Sequence, residues 1–224
     1  MRYLGLALYA EGSTDERFLG PVLLRLCADV CARESRHPVE SNDEMLVLRH
    51  SSKLKDATRA VRVLDAARQA RGAWTILFVH ADADGDPAKA RRERAQPALD
   101  SLRQEFDQSG WGVAVIPIQE TESWAICDGD AIRRVFGTTL TDSELALPLN
   151  SGAVERLADP KQCFHDSFNA SRAVVSRRRT TRSANETLGA LGEHVALERL
   201  RRLTGFQTVE AELRQVLRAV HVLD

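Results

Sequence analysis

Residues 74–86 read WTILFVHADADGD, and this stretch decides the fold class. Its first eight residues are almost all apolar, and three aspartates follow them at alternate positions. An apolar run of this length without polar alternation predicts a strand covered on both faces, which is typical of a parallel sheet between two layers of helices. The stretch therefore predicts an α/β fold whose central strand ends in a group of carboxylates.

Three other apolar segments predict further strands of the same sheet, at residues 3–10, 45–49 and 113–118. Apolar residues at helical spacing predict the intervening helices, at residues 14–33, 54–67 and 88–108. Proline predicts a kink at Pro21 in the first helix and a break at Pro97 in the third. Since neighbouring parallel strands need a crossover, this alternation predicts a mostly parallel, Rossmann-like sheet flanked by helices.

The pattern after Glu120 is mainly helical. Residues 140–151 are typical of a loop, and helical periodicity follows near residues 153–157, 186–203 and 209–220. We therefore expect an α/β domain over residues 1–139 and a helical C-terminal extension over residues 140–224, packed on or beside that domain.

Composition and charge narrow the classes of function. The chain carries 31 Lys and Arg against 32 Asp and Glu, a formal net charge of -1, so any contact with nucleic acid must be local. No segment approaches the roughly 20 apolar residues of a membrane span. The N-terminus is interpreted as a strand rather than a signal peptide, and the four cysteines lack the paired spacing of a zinc site. These features predict a cytoplasmic protein without membrane association.

Three of the four predicted strands are followed by acidic residues. These are Glu11 and Asp15 after the first strand, Asp82, Asp84 and Asp86 after the third, and Glu120 and Glu122 after the fourth. If the strands are parallel, these side chains meet at one edge of the sheet, where ligands of such folds bind. Two bare carboxylates about 4 Å apart repel by roughly 4 kcal/mol at an effective dielectric of about 20, so a proton or a cation must offset the repulsion. Oxygen ligands in this number favour Mg²⁺ or Mn²⁺ over zinc.

Helix capping is the alternative explanation for these acids. A carboxylate in the first turn of a helix accepts hydrogen bonds from free N–H groups and interacts favourably with the helix dipole. Asp15 and Glu122 are open to this interpretation. The repetition of acids after three strands favours a shared metal site, with Glu11, Asp82 and Asp84 at its centre.

Three segments together resemble a known family: EGSTDERFL at residues 11–19, FVHADADGD at 78–86 and IPIQETESWAICD at 116–128. In this order they are similar to the Toprim-like proteins of bacteria, in which a Glu follows the first strand and an Asp-x-Asp pair follows a later one. The closer resemblance is to small Toprim-like proteins of uncharacterised function that are often encoded beside ATPases. Glu122-Ser123-Trp124 and Asp159-Pro160-Lys161 support it, and the spacing of Glu11 and Asp15 is similar to that of the overcoming-lysogenization-defect nucleases.

The resemblance implies a nuclease, in which Mg²⁺ or Mn²⁺ supports hydrolysis of phosphodiesters, in anti-phage defence and with a partner ATPase. The resemblance places metal ligands at Glu11, Asp82 and Asp84. The other acids after the strands extend the candidate set to Asp15, Glu120 and Glu122, of which Asp15 and one of the two glutamates would serve a second ion. Asp82 and Asp84 would hold the first ion, and Glu11 would complete its coordination or act as general base. Lys161 would neutralise charge that builds on the phosphate, with a solvated surface lysine as the alternative.

A basic segment, SRRRTTRS at residues 176–183, is the candidate contact with the phosphate backbone. Its four cations are Arg177, Arg178, Arg179 and Arg182. A solvated surface segment is the alternative. The expected partners are therefore a nucleic acid, DNA in preference to RNA, and an ATPase, and self-association into a homo-oligomer is left open.

Two rival functions stand beside the nuclease. In the first, a non-catalytic Toprim-like module binds a structural cation and its helical tail docks and regulates a partner ATPase. In the second, the chain is a phosphorylatable receiver-like domain, but the acid pair then follows the wrong strand. His80, inside the central strand pattern, is interpreted as structural, and Trp124 as a core or interface residue.

Overall fold

The computed structural model describes residues 2–106, 111–148, 150–174 and 183–224. Its strands are β1 (Arg2–Leu4), β2 (Leu6–Tyr9), β3 (Val39–Ser41), β4 (Leu46–Val47), β5 (Ile76–His80) and β6 (Trp111–Val115). Four of them form a parallel sheet in the order β4-β2-β5-β6, and β1 pairs with β3 in a separate parallel ladder. The predicted α/β class with a mostly parallel sheet flanked by helices is confirmed.

Helices occupy most of the remaining described chain. They are α1 (Ser13–Glu34), α2 (Arg59–Gln69), α3 (Pro87–Ala90), α4 (Gln96–Phe106), α5 (Thr121–Ala125), α6 (Gly129–Phe136), α7 (Ser151–Val154), α8 (Pro160–Val174), α9 (Ala184–His194), α10 (Leu197–Leu200) and α11 (Thr204–Ala219). A 3-10 turn covers Ser52–Leu54 and a π-helical turn covers Arg91–Ala95.

Strand β5 is covered on both faces, as its apolar run predicts. It lies between β2 and β6, and all five of its residues are buried. Ile76 and Phe78 belong to a larger core, which includes residues of α1, α9 and α11, whereas Leu77 and Val79 belong to a smaller core with residues of α2 and α4. The alternation of side chains along a strand sends successive residues to opposite faces, so a strand between two helical layers must be apolar throughout.

The strand predicted over residues 3–10 is divided at Gly5 into β1 and β2. A Cβ atom at Gly5 would lie 2.6 Å from the carbonyl oxygen of Ala73, so the two segments approach too closely for a side chain. The Asn42 side chain accepts from the Leu6 N–H at 2.7 Å and donates to the Leu6 carbonyl at 3.0 Å. These bonds take the place of a strand neighbour at the start of β2.

The helical stretch around Pro97 is interrupted, as predicted, but by a π-helical turn that ends just before α4. Proline has no N–H to continue the helical hydrogen-bond pattern, so the backbone widens by one residue ahead of it. By contrast, α1 continues through Pro21 as one helix.

The C-terminal helices share the larger core with the sheet. Helix α9 packs against α1, and α11 packs against β6. A Cβ atom at Gly192 would clash with the carbonyl of Phe18, which shows how closely α1 and α9 approach. Helix α8 was not predicted, and the helix predicted over residues 186–203 is divided into α9 and α10. A domain boundary at residues 139 and 140 stays a prediction.

Candidate metal centre

The candidate site lies at the edge of the sheet where β2, β5 and β6 end. These neighbouring strands are parallel, so the segments that follow Tyr9, His80 and Val115 leave the sheet on the same side. The first turn of α1 begins directly beyond β2. Acids from three separate parts of the sequence are therefore brought to one edge, as the repeated pattern predicts.

Asp15 serves both as a helix cap and as part of the site. Its Oδ2 accepts a hydrogen bond of 2.9 Å from the Gly12 N–H, which is a capping interaction in the first turn of α1. The same oxygen lies 3.9 Å from Nδ1 of His80, and the side chain is nearly buried. The capping alternative is therefore compatible with a second role for this carboxylate.

His80 is the last residue of β5 and is fully buried. Its Nε2 lies 3.1 Å from Oδ1 of Asp82 and 3.2 Å from the hydroxyl of Thr121. Its Nδ1 is buried and has no hydrogen-bond partner in the described part of the chain. Asp15, His80 and Asp82 each offer one ligand atom, and these atoms lie within 4.8 Å of one another, which makes them a candidate metal-binding group. We refer to these three residues as the Asp–His–Asp cluster.

The charges around His80 favour a positive charge at this position. Burial lowers the pKa of His80, but the hydrogen bond with Asp82 and the negative charges of Asp15, Asp82 and Glu11 raise it, and the net shift is upward. A raised histidine pKa means that the surroundings stabilise the imidazolium form. The cluster therefore attracts either a proton on His80 or a cation that takes its place.

Glu120 and Glu122 extend the negative field from the start of α5. Burial and the charge of Asp82 raise the pKa of Glu120, and its buried Oε2 has no hydrogen-bond partner among the described residues. Burial, followed by the charges of Asp15 and Glu120, raises the pKa of Glu122 to about 7. The charge of Asp82 therefore reaches Glu120, and the charge of Asp15 reaches Glu122.

Lys161 lies beside this acidic edge, in the first turn of α8. Its charge lowers the pKa of both Glu120 and Glu122, partly opposing the effect of burial, and its side chain is exposed. The Asp-Pro-Lys segment, which is distant in sequence, therefore supplies a cation close to the predicted ligands.

Four of the six predicted ligands, Glu11, Asp84, Glu120 and Glu122, lie outside the Asp–His–Asp cluster, and the first two are paired with arginine. Oε1 of Glu11 pairs with Nη1 of Arg59 at 3.1 Å, although the charge of Glu11 still reaches His80. Asp84 pairs with Nη2 of Arg94 at 2.9 Å, and its side chain is 61% exposed. Both carboxylates are thus already neutralised by arginine.

The three aspartates that follow β5 have three different surroundings. Asp82 contacts His80, whereas Asp84 adopts a positive φ of 50° just before Gly85, so the chain turns sharply and carries the Asp84 side chain to the rim. Asp86 caps α3 by accepting a hydrogen bond of 2.9 Å from the Lys89 N–H. Their alternate spacing therefore does not place them in one ligand set.

Sequence reasoning missed His80, Arg59 and Arg94 as parts of this region. His80 lies directly before the acidic turn, and this position could have indicated a role in the site. Its neighbours in a buried strand favoured a structural interpretation instead. Nothing in the local sequence marks Arg59 or Arg94. The predicted nucleic-acid contacts Arg177, Arg178, Arg179 and Arg182 lie outside the described residues.

The donor set fits a divalent cation. Two of the buried atoms that lack a hydrogen-bond partner among the described residues are Nδ1 of His80 and Oε2 of Glu120, an imidazole nitrogen and a carboxylate oxygen, both of which bind metals. A nitrogen donor among oxygens favours Mn²⁺ over Mg²⁺, which takes oxygen ligands. In the part of the chain that the structure describes, no helix has the length and apolarity needed to cross a membrane. No family model, curated protein or solved structure matches the chain.

Proposed function

We propose that the chain is a divalent-metal-dependent nuclease that holds its cation on the Asp–His–Asp cluster. The observation that carries the proposal is the buried Nδ1 of His80, which lacks a hydrogen-bond partner among the described residues and lies 3.9 Å from the Asp15 carboxylate. It supports the proposal because a cation would supply the missing partner and offset the repulsion between Asp15 and Asp82. The location, at the carboxyl ends of parallel strands, is where such folds bind ligands.

The reaction assigned to this edge is hydrolysis of a phosphodiester. A divalent cation supplies Lewis-acid stabilisation of the charge on phosphate oxygens. Glu122, with a pKa of about 7, is suited to accept or donate a proton near neutral pH. Lys161, whose charge acts on Glu120 and Glu122, offers a positive charge to the phosphate. Glu11, held in place by Arg59, remains the candidate general base.

Cation binding and cleavage test the proposal together. Calorimetry measures Mn²⁺ and Mg²⁺ binding to the unaltered chain, to Asp82→Asn and to Asp100→Asn, a control at an exposed acid on α4. The same proteins are incubated with plasmid, single-stranded DNA and RNA in the presence of each ion. We expect binding and cleavage in the unaltered chain and in Asp100→Asn, with both lost in Asp82→Asn. Equal cleavage by Asp82→Asn and the unaltered chain would exclude the cluster as the active metal site.

A structural cation without catalysis is the second candidate. The complete burial of His80 and the near burial of Asp15 favour it, because a substrate cannot reach ligands that solvent does not reach. Here Mn²⁺ would raise the melting temperature of the unaltered chain but not of Asp82→Asn, and no nucleic acid would be cleaved. The helical C-terminal part would then dock a partner ATPase.

The biological setting is a further part of the proposal and is supported by the sequence resemblance alone. A partner ATPase and a role in anti-phage defence predict that a bacterial host carrying this chain with such an ATPase lowers the plating efficiency of a sensitive phage. Asp82→Asn should remove that protection, whereas Asp100→Asn should retain it. Equal protection by Asp82→Asn would separate any defensive role from the metal centre.

A further inference from the structure

A cleft rich in arginine opens beside the Asp–His–Asp cluster, with a volume of about 560 Å³. The residues that characterise it are Tyr9, Glu11, Arg49, Arg59, Arg62 and Arg94. We refer to it as the arginine cleft. Four guanidinium groups thus line a single space together with one carboxylate, although the chain as a whole is nearly neutral.

Three of the four arginines are paired with acids, and the fourth is not. Arg49 pairs with Glu16 at 2.6 Å, and Arg59 and Arg94 have the pairs with Glu11 and Asp84 described above. Across the described residues, Arg62 has no ion-pair partner, and its Nε is buried without a hydrogen bond. The Nε of Arg59 is also buried without one. A partly buried cation without a counter-charge is unfavourable unless an anion approaches it.

The position of Arg59 and Arg62 on α2 is locally unfavourable in two ways. They are three residues apart on one side of the helix, so their charges repel. They also occupy the N-terminal part of α2, where the helix dipole is positive and where no acidic residue lies in the first turn. Arrangements that contradict local preference are expected where a ligand offsets the cost. An anion at this end of α2 would be attracted by both arginines and by the dipole.

The cleft is connected directly to the metal centre. Arg59 donates through Nη2 to the main-chain carbonyl of His80. Arg94 donates through Nη1 to the carbonyl of Asp82 at 2.8 Å. Two cleft arginines therefore contact the backbone of the residues that form the cluster, so a phosphate in the cleft would lie next to the acidic edge.

We propose that the arginine cleft binds the phosphate backbone of a nucleic acid strand and places the next phosphodiester at the Asp–His–Asp cluster. A strand fits better than a small phosphate compound because cations border the acidic edge at two places. One is the arginine cleft, and the other is Lys161, which does not line the cleft and whose charge acts on Glu120 and Glu122. The inference rests on the proposed function, since it names the substrate contact for the same edge. It identifies Arg62 as the guanidinium that is free to take the phosphate.

The test measures binding without cleavage. A fluorescent single-stranded oligonucleotide of about 12 nucleotides is titrated by anisotropy in the presence of a chelator. The proteins are the unaltered chain, Arg62→Gln, Arg62→Lys, Arg49→Gln, and Arg134→Gln as a control at an exposed arginine on α6. We expect Arg62→Gln to weaken binding about tenfold and to lower the salt dependence by about one ion, because it removes a charged contact with phosphate. Arg62→Lys should lose less. Arg49→Gln should weaken binding less than Arg62→Gln, because Arg49 is already paired with Glu16, and Arg134→Gln should bind like the unaltered chain.

Equal oligonucleotide affinity for Arg62→Gln, Arg49→Gln and the unaltered chain, or no binding by any of them, would overturn the inference. Pyrophosphate is added as a competitor, and affinity for it equal to that for the oligonucleotide would overturn the strand in favour of a small phosphate compound. Calorimetry with Mn²⁺ separates this inference from the proposed function. Arg62→Gln should retain Mn²⁺ affinity, whereas Asp82→Asn should lose Mn²⁺ and still bind the oligonucleotide. If oligonucleotide binding depends on Arg62 but no nucleic acid is cleaved, the proposed nuclease activity would be contradicted. The arginine cleft would still be supported as an oligonucleotide-binding site.

Discussion

The Asp–His–Asp cluster and the arginine cleft lie at the same edge of the sheet but carry charge in opposite ways. In the cluster, negative charge is buried, and Nδ1 of His80 has no hydrogen-bond partner among the described residues. In the cleft, positive charge borders an open space, and three of the four arginines are already paired with carboxylates. The cluster therefore needs a proton or a cation for its own stability. The positive charge of the cleft is mostly neutralised by neighbouring carboxylates, and one arginine is left for an anion.

The boundary between the two regions is formed by two ion pairs. Glu11 with Arg59 and Asp84 with Arg94 each join an acid of the predicted metal site to an arginine of the cleft. These pairs take Glu11 and Asp84 out of the most compact ligand group and leave Asp15, His80 and Asp82 in it. Substitutions at one member of the cluster, at one neighbouring acid and at one member of the boundary therefore test whether the two regions behave differently.

The largest effect is expected from His80→Asn. We expect it to lower Mn²⁺ affinity about a thousandfold, roughly 4 kcal/mol, because it removes the imidazole ligand from the centre of the cluster. Asp84→Asn should lower the affinity less than about threefold, since its exposed carboxylate is paired with Arg94. Calorimetry gives both affinities, and circular dichroism checks that the variants are folded. If the two variants lost the same Mn²⁺ affinity, Asp84 would be as important for the ion as His80. The ion would then be assigned to Asp82 and Asp84 and not to the Asp–His–Asp cluster.

A smaller effect concerns the buried negative charge of Glu122. Its pKa is raised from 4.5 to about 7 in the folded chain, by burial and by Asp15 and Glu120. When the pKa of an acid is higher in the folded chain than in the unfolded chain, the acid does not reduce stability at a pH below the unfolded value. Between about pH 4.5 and 7 the unfolded chain ionises first, so the folded chain loses stability over this range. With a chelator present, Glu122→Gln should therefore be more stable than the unaltered chain by about 3 kcal/mol at pH 8 and equally stable at about pH 4.

Urea unfolding at several pH values measures this difference, with Glu93→Gln at an exposed position as the control. The control should stay within about 0.5 kcal/mol of the unaltered chain at every pH. A stability difference for Glu122→Gln that does not change between pH 4 and pH 8 would show that the carboxyl is not held in an unfavourable buried environment.

The smallest effect is expected at the boundary, from Arg59→Gln. The free energy of unfolding should fall by about 2 kcal/mol, because Glu11 and the His80 carbonyl lose a charged donor. Mn²⁺ affinity should rise severalfold, since a positive charge leaves the neighbourhood of the cluster. Urea unfolding and calorimetry measure the two quantities, with Arg134→Gln as the control. A fall in Mn²⁺ affinity would mean that Arg59 supports the cluster instead of limiting it.

The strands of the sheet were easier to predict than the C-terminal helices, because the predicted strand segments are marked by their own apolar runs. The first four residues of β5 are apolar, and all five are buried, as coverage on both faces requires, so one segment indicated the parallel sheet. Helix α8 was missed for the opposite reason. Two of its five buried residues are Ser167 and Ser171, whose hydroxyls donate to carbonyls three residues earlier, so the buried stripe is partly polar and the periodic signal is weak. The β1–β3 ladder was missed because Gly5 divides the first strand through a contact with Ala73, a residue distant in sequence.

The candidate site was predictable as a location and only in part as a set of residues. Alternating acids after a strand predicted carboxylates at the sheet edge, and Asp15 and Asp82 lie there. The separate surroundings of Asp84 and Asp86 depend on the positive φ at Asp84, which residue type alone does not settle. His80 was set aside because a single buried histidine is usually structural, and its importance arises from Asp15 and Thr121, which reach it from other elements.

The α/β class, the parallel sheet and the edge at which acids accumulate were predictable from the sequence, because those properties follow from patterns within single segments. Which acids lie close enough together to bind a cation, and which are paired with arginine, depended on the tertiary packing. Arg59 reaches Glu11 from α2, and Arg94 reaches Asp84 from the π-helical turn, so their pairing depends on how elements pack against the sheet. Charge interactions fall with distance in space and not with separation in sequence, which is why an arginine far along the chain determines what a carboxylate can bind.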